Sequence, residues 1–374
     1  MGEVFANPLT ELAEYIDMKQ ALDKGKGPIQ ASGVTDSQKV HVMHELSSGR
    51  AWKLVITYDD ARARELYEDF TYFEKNSWLY PARDLLFYSS DIHGNLLTRE
   101  RLQVFRHLLE DEGGVVVTTV DGLMDHLLPL SMLHEACLSI EAGMPLDIEE
   151  IKIRLAAMGY ERMGQVDGMG QFSVRGGIID IFPLTEELPV RIELWGDEVD
   201  SIRSFDAESQ RSIQQMESVT IYPAAEVTLT KERLEAGISG IEADGKRQEK
   251  AFRDAGKHEE AHRIRTAVNE LCEALREGFD VQRLDGYIRY FCGETVSFLD
   301  YMKAAGSAGG LAVFLDEPQR MREKAETVEL EFRESMTQRL EKVYLLPGQA
   351  DLLFSAKQVL AALELPQTVF MTGL

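Results

Sequence analysis

Short apolar segments separated by helix-length segments constrain the fold of this chain more than any other feature. WKLVITY (52–58), GVVVTT (114–119) and LAVFLDEP (311–318) are rich in valine, leucine and isoleucine, a composition typical of buried strands. Segments with the length and pattern of helices, such as 37–46 and 59–73, lie next to them. Buried strands that alternate with helices indicate a parallel sheet with helices on both faces. The sequence therefore predicts an α/β fold.

The pattern changes in the middle of the chain. DIEEIKIRLAAMGY (147–160) predicts a helix, and several short strands with glycine and proline turns follow it, which predicts an α+β insertion. Long helices then return, including a highly charged one near 247–278. We divide the chain into a first scaffold part (1–132), an inserted domain (133–224) and a third part (225–374). Further predicted elements are helices at 8–23 and 97–110 and strands at 29–33, 85–88 and 368–374.

Composition sets limits on the protein's size, partners and compartment. A chain of 374 residues is expected to form two or three domains. Its net charge of −24 repels phosphate backbones and disfavours non-specific binding of nucleic acid by the whole surface. Cys137, Cys272 and Cys292 are widely separated, which fits a reducing compartment. Neither a signal pattern at the N-terminus nor an apolar run of membrane-spanning length is present, so we expect a cytoplasmic protein without membrane association.

The segment from 172 to 206 predicts a small antiparallel sheet with one buried face. Side chains alternate along a strand, so Val190, Ile192 and Leu194 lie on one side, and Arg191, Glu193 and Trp195 on the other. An earlier run in the segment carries an arginine at position 175, with apolar residues at the opposite parity. An outward tryptophan beside arginines is typical of a protein-binding hot spot. The alternative is that Trp195 is ordinary core, covered by a helix such as 147–159.

Two motifs in this segment carry a resemblance to a known family. VRGGIIDIFP, followed by LPVRIELWGDEVDSIRSFDAESQRS, resembles the second domain of the bacterial transcription-repair-coupling factors (Mfd) and the corresponding domain of the excision-repair helicase UvrB. The resemblance covers residues 9–225 well and the rest loosely. It implies a degenerate helicase-like (RecA/UvrB-type) parallel-sheet scaffold, formed by 1–132 and 225–374 together and interrupted by the inserted domain. Members of the family are much longer and contain an RNA-polymerase-binding domain and a translocase motor, so this chain is expected to be the N-terminal module alone.

The same resemblance implies a partner and the residues that bind it. It implies a non-catalytic adaptor that recruits UvrA, the damage-recognition ATPase, to RNA polymerase stalled at a lesion. By position, the docking residues are Arg175 in SVRGG, Arg191 in PVRIEL and Trp195, where the family also allows phenylalanine. RNA polymerase and DNA are expected to bind domains that this chain lacks. The alternative hypothesis is an active nucleotide-dependent helicase or ATPase with an atypical phosphate loop.

GVTDSQKV (33–40) follows a strand and begins a helix, as a nucleotide-binding phosphate loop does. Gly33 and Lys39 occupy their positions in the motif. Gln38 stands where a second glycine would allow close approach to phosphate, and Val40 replaces the hydroxyl residue that ligates magnesium. In this context the segment resembles a decayed ATP site. We expect no cofactor, a solvated Lys39, and a Lys39→Ala variant that folds and binds its partner normally.

Two acidic residues and a histidine motif complete the candidates for chemistry. Asp316 and Glu317, in FLDEP, have the form of a magnesium-binding strand end; without a phosphate loop, an exposed strand terminus that caps the next helix is the favoured interpretation. His258–Glu259–Glu260–Ala261–His262 matches the zinc-binding pattern H-E-x-x-H. The surrounding helix is charged nearly all round, which disfavours a metalloprotease. We predict no metal site and no catalytic residue.

Overall fold

The computed structural model describes residues 8–83, 91–228, 230–276, 281–341 and 345–373. In chain order its strands are β1 (Ile29–Ser32), β2 (Trp52–Thr57), β3 (Ser77–Tyr80), β4 (Gly114–Thr119), β5 (Leu138–Glu141), β6 (Glu161–Arg162), β7 (Gln171–Arg175), β8 (Ile178–Phe182), β9 (Val190–Trp195), β10 (Glu198–Phe205), β11 (Ser212–Met216), β12 (Ser218–Ile221), β13 (Leu311–Asp316) and β14 (Thr368–Thr372). Its α-helices are α1 (Ala13–Asp23), α2 (Asp36–Leu46), α3 (Asp60–Thr71), α4 (Asp91–Leu109), α5 (Leu130–Ala136), α6 (Ile148–Ala157), α7 (Lys231–Asp254), α8 (His258–Arg276), α9 (Ile288–Phe291), α10 (Phe298–Gly309), α11 (Pro318–Glu341) and α12 (Ala356–Ala362).

The chain divides into two compact units, and the first contains the parallel sheet. It comprises the described residues of 8–126, 296–335 and 353–373. Its six strands follow the order β1-β14-β13-β2-β4-β3, and all neighbours are parallel. The central strands β2, β4 and β13 are buried along their whole length, because helices cover parallel strands on both faces. The predicted α/β fold with a parallel sheet is confirmed.

The second unit contains the inserted β-rich domain and a pair of long helices. It comprises the described residues of 127–295 and 336–352. One sheet has the order β11-β10-β9-β8-β7-β6, antiparallel except for β6 and β7, and β5 pairs with β12 in a separate ladder. The predicted β-rich insertion is therefore present. The three-part division at 132 and 224 stays a proposal.

Several predicted elements differ in detail from those observed. The single charged helix near 247–278 is wrong: α7 ends at Asp254 and α8 begins at His258. Gly256 between them has φ +77°, a left-handed conformation that ends a helix. The strand β3 was not predicted, and the strand predicted at 85–88 lies outside the described residues. In the described part of the chain, no helix combines the length and apolar character needed to cross a membrane.

Candidate functional site

The open face of the β7–β11 sheet carries the three predicted docking residues. Along β9, Val190 and Ile192 are buried, whereas Trp195 at the strand end is 83% exposed. The interpretation of Trp195 as core is therefore wrong. Arg191 lies on the same side of β9 as Trp195, and Arg175 ends the strand β7, where 46% of its side chain is exposed. An exposed indole with two arginines on one sheet is the composition of a protein-binding surface.

A buried aspartate that the sequence analysis missed joins the two arginines. Asp180 lies in β8 directly opposite Arg191 in β9, and its carboxylate has no exposed surface. Arg191 donates to it from Nε at 2.6 Å and from Nη2 at 2.9 Å, and Arg175 donates from Nη2 at 2.7 Å. These hydrogen bonds, against the opposing effect of burial, raise the pKa of Arg191. The sequence feature that could have indicated Asp180 is its position in IIDIF, where it is a lone aspartate at the parity opposite to isoleucines 179 and 181.

Arg191 is held on its other sides as well. Its Nη2 donates to Gln210 Oε1 at 2.9 Å, and Nη1 reaches the Gln210 carbonyl at 3.5 Å. Its guanidinium lies over the ring of Phe205, with 4.4 Å between Cζ and the ring centroid. Only 15% of the side chain is exposed. Arg191 is thus outward in parity, yet most of its hydrogen-bonding capacity is used within the domain.

The face continues beyond the predicted residues to the edge of the sheet. Arg203 in β10 lies opposite Arg191 and donates to Glu193 Oε2 at 2.5 Å and to Ser201 Oγ at 3.0 Å. Sequence parity along 198–205 could not place Arg203 on this face, because the β9–β10 register shifts between Val199 and Ser201. Next to it is a shallow groove of about 380 Å³ lined by Asp200, Ser201, Arg203, Ser212, Ile213, Gln214 and Gln215.

In the first unit, the degenerate phosphate loop is closed by its own side chains. Lys39 is completely buried, so the expected solvated lysine is wrong. Its Nζ donates to Asp316 Oδ1 and to Glu317 Oε1, both at 2.6 Å. Burial would lower the pKa of Lys39, but the hydrogen bonds to these two carboxylates outweigh it and raise the pKa above its ordinary value. The lysine that would contact a phosphate is therefore occupied by the two residues that would contact magnesium.

Asp316 is the centre of this network. Its Oδ2 also accepts from Thr57 Oγ1 and from Arg62 Nε, both at 3.0 Å, and it has no exposed surface. The expected exposed strand terminus is therefore wrong for Asp316. Glu317 adopts φ +54° and accepts from the Gly373 amide at 2.7 Å, which joins the residue after β13 to the residue after β14.

The remaining predicted positions of the loop, Gly33, Gln38 and Val40, lie apart from this network. Gly33 has φ +78° and its amide donates to the Thr372 carbonyl at 3.0 Å. Gln38 is exposed on α2, and Val40 packs in the apolar core of the unit. Structure thus brings Lys39 and the two FLDEP carboxylates together, and leaves the other predicted positions apart from them.

The H-E-x-x-H motif lies in the first turns of α8, where His258 and His262 are both exposed. His262 Nδ1 lies 3.1 Å from the Arg265 guanidinium, an arrangement unsuited to a metal ligand. Among the described residues, the group with metal-ligand spacing is a different one, formed by His107, Glu110 and Glu112 on the surface. His107 Nδ1 lies 2.7 Å from Glu112 Oε2, and this contact between the two side chains explains the group without a metal ion.

Comparison with known proteins defines the class of the inserted domain. Residues 138–226 match the model of the UvrB interaction domain. The chain is 32% identical over 314 residues to the transcription-repair-coupling factor of Bacillus subtilis, covering 83% of this chain and 26% of that protein. The Staphylococcus aureus protein of the same name is 33% identical over 221 residues, covering 58% of this chain and 19% of its own length. The Staphylococcus haemolyticus protein is 28% identical over 314 residues.

The chain is an α/β protein with a parallel six-stranded sheet and an inserted β-rich domain, the UvrB interaction domain. It is a homologue of the N-terminal region of the bacterial transcription-repair-coupling factors. It spans about a quarter of the length of the Bacillus subtilis protein.

Proposed function

We propose that this chain is a non-catalytic adaptor module that binds UvrA and brings it to RNA polymerase stalled at a lesion in nucleotide excision repair. One observation carries the proposal: within the segment that matches the UvrB interaction domain, Trp195 is 83% exposed on the face that also presents arginines. An indole in this position loses contact with water only when a partner covers it, and such residues dominate binding energies. RNA polymerase and DNA would contact other domains of the longer relatives.

The absence of catalysis is part of the proposal, and the Lys39 network supports it. A bound triphosphate would need the Lys39 ammonium, which is buried and engaged by Asp316 and Glu317. Opening those contacts would leave two carboxylates beside an incoming anion. The competing function, a nucleotide-dependent enzyme, predicts magnesium-dependent ATP binding at millimolar or tighter affinity. Isothermal calorimetry with Mg-ATP separates the two, and we expect no binding heat.

The experiment for UvrA binding is a titration of the chain against purified UvrA. Trp195→Ala is expected to raise Kd about thirtyfold, because truncation of a hot-spot residue costs about 2 kcal/mol or more. Ile153→Ala is the matched control: Ile153 is 71% exposed in the same domain, but it belongs to the helix α6 and not to the strand β9 that carries Trp195. Both variants should keep the wild-type Tm. Equal affinities for Trp195→Ala and Ile153→Ala would refute the docking face, and no binding by wild type would refute the function.

A further inference from the structure

Asp180 is a buried carboxylate that two arginines of the docking face stabilise. A carboxylate with no exposed surface in the middle of a sheet is strongly unfavourable unless cations and donors surround it. Asp180 has two such cations, Arg175 from the preceding strand and Arg191 from the following one. Both arginines belong to the proposed docking set. The aspartate therefore links Arg175 and Arg191 through hydrogen bonds to one carboxylate.

The two arginines have unequal freedom to contact a partner. A guanidinium has five N–H donors. Arg191 directs four of them to Asp180 and Gln210, through Nε, Nη1 and twice through Nη2. Arg175 donates to Asp180 through Nη2, and almost half of its side chain stays exposed. Arg175 thus retains the donors that a partner carboxylate needs. Arg191 uses most of its donors within the domain, where it binds Asp180 and Gln210.

We propose that Asp180 is a positioning residue for UvrA binding: it fixes Arg175 and Arg191 as one rigid pair, and Arg175 contacts an acidic group on the partner. This inference rests on the proposed function and adds to it the division of roles between the arginines. A long side chain that is free in the unbound protein must be ordered on binding, which costs affinity. A side chain already held by a buried carboxylate loses less freedom. Asp180 therefore acts on binding through the arginines and touches no partner itself.

The test is a set of double-mutant cycles on Asp180→Asn, which keeps the size and removes the charge. Alone, it is expected to weaken UvrA binding about tenfold, the upper end of the effect of ordering one long side chain, that of Arg175. In the Arg175→Ala background the further loss should nearly vanish, because coupled residues are not additive. In the Trp195→Ala background, which leaves both arginines in place, the tenfold loss should persist.

Four results would overturn the inference. Unchanged or tighter binding by Asp180→Asn would show that the carboxylate only screens the arginines. An equal loss in every background, together with a lowered Tm, would show a purely structural role. No UvrA binding by the wild type would remove this inference together with the proposed function. A wild type that binds, with additive losses for Asp180→Asn and Arg175→Ala, would remove this inference alone.

A second variant keeps the test decisive if Asp180→Asn does not fold. Arg175→Lys retains the positive charge and loses the planar fork that the carboxylate orients. We expect it to bind UvrA as weakly as Arg175→Ala while keeping the wild-type Tm. Affinity equal to wild type would show that a charge at position 175 suffices, and the positioning role would be wrong.

Discussion

At the residue scale, a buried carboxylate organises each unit of this chain. Asp316 in the parallel-sheet unit is paired with Lys39 and Arg62, and Asp180 in the inserted domain is paired most closely with Arg191. A carboxylate removed from water is tolerated only when cations and donors replace the water. Deleting one of these cations therefore leaves a buried charge that the rest of the site compensates incompletely.

Lys39→Ala is expected to lower the free energy of unfolding by about 3 kcal/mol, the lower end of the cost of breaking a buried ion pair, because Arg62 still pairs with Asp316. This reverses the neutral effect expected from a solvated lysine. Lys75→Ala, at an exposed lysine of the same unit, is the control. Chemical denaturation of both variants measures the difference; superimposable curves for Lys39→Ala and wild type would contradict it.

The pH dependence of this difference follows from the raised pKa of Lys39. A cation whose pKa is raised on folding stabilises fully below its unfolded value, about 10.4, and the stabilisation is lost only as pH rises through the folded value. The gap in unfolding free energy between wild type and Lys39→Ala should therefore be the same at about pH 7 and about pH 9. A gap that closes between these values would show that the ammonium is not held in this way.

Arg191→Ala is expected to lower both stability and UvrA affinity, whereas Arg175→Ala lowers affinity alone. Arg191 covers Phe205 and supplies two of the hydrogen bonds to buried Asp180, so its loss should cost about 2 kcal/mol of unfolding free energy, less than a full buried pair because Arg175 remains. Arg175 is half exposed and supplies one. Melting curves, measured beside binding titrations, separate the effect on stability from the effect on affinity. Equal Tm values for Arg191→Ala and Arg175→Ala would contradict the structural role of Arg191.

Parity and partner register explain what the sequence could predict at this scale. Of the two interpretations of Trp195, the outward one is observed, and the sequence could offer it because alternation along β9 is a local property. Asp180 was missed because its partners come from β7 and β9, and no local pattern states which strands become neighbours. Lys39 was wrongly placed in solvent for the same reason: its partner Asp316 is 277 residues away in sequence.

At the element scale, the break between α7 and α8 shows where hydrophobic and charge patterns are uninformative. The charged residues on both sides fit one continuous helix, and only Gly256 marks the end of α7. Its φ of +77° is a conformation that residues with a Cβ rarely adopt. The four-residue strand β3 escaped prediction because so short a segment carries almost no periodicity.

Gly256→Ala is therefore expected to destabilise the protein by about 1 kcal/mol through backbone strain. A Cβ at this position meets no atom within 4 Å, so a steric clash does not contribute. Gly164 is the matched control, since a Cβ there is equally free and its φ is not positive, and Gly164→Ala should leave stability unchanged. Increased stability of Gly256→Ala would show instead that α7 and α8 prefer to join into one helix.

At the whole-molecule scale, the chain builds one sheet from segments on both sides of its insertion. β13 and β14, from the last quarter of the chain, lie between β1 and β2, and Val313 pairs with Leu54. Apolar composition predicted these strands and their parallel direction. Their order was not predictable from the residues, because β2 and β13 are both buried along their whole length and the order depends on how the helices between the strands pack.

The net charge of −24 repels an acidic partner, whereas the arginines of the docking face attract it. The salt dependence of UvrA binding tests which of these two contributions governs association. If the local arginines dominate, Kd should rise severalfold between about 0.05 and about 0.3 M salt, because screening weakens attraction between Arg175 and an acidic patch. Arg175→Ala should flatten this dependence, whereas Trp195→Ala should weaken binding at every salt concentration and keep the slope. Binding that tightens with added salt would show that overall repulsion from an acidic partner outweighs the docking face, and that the arginines do not steer the encounter.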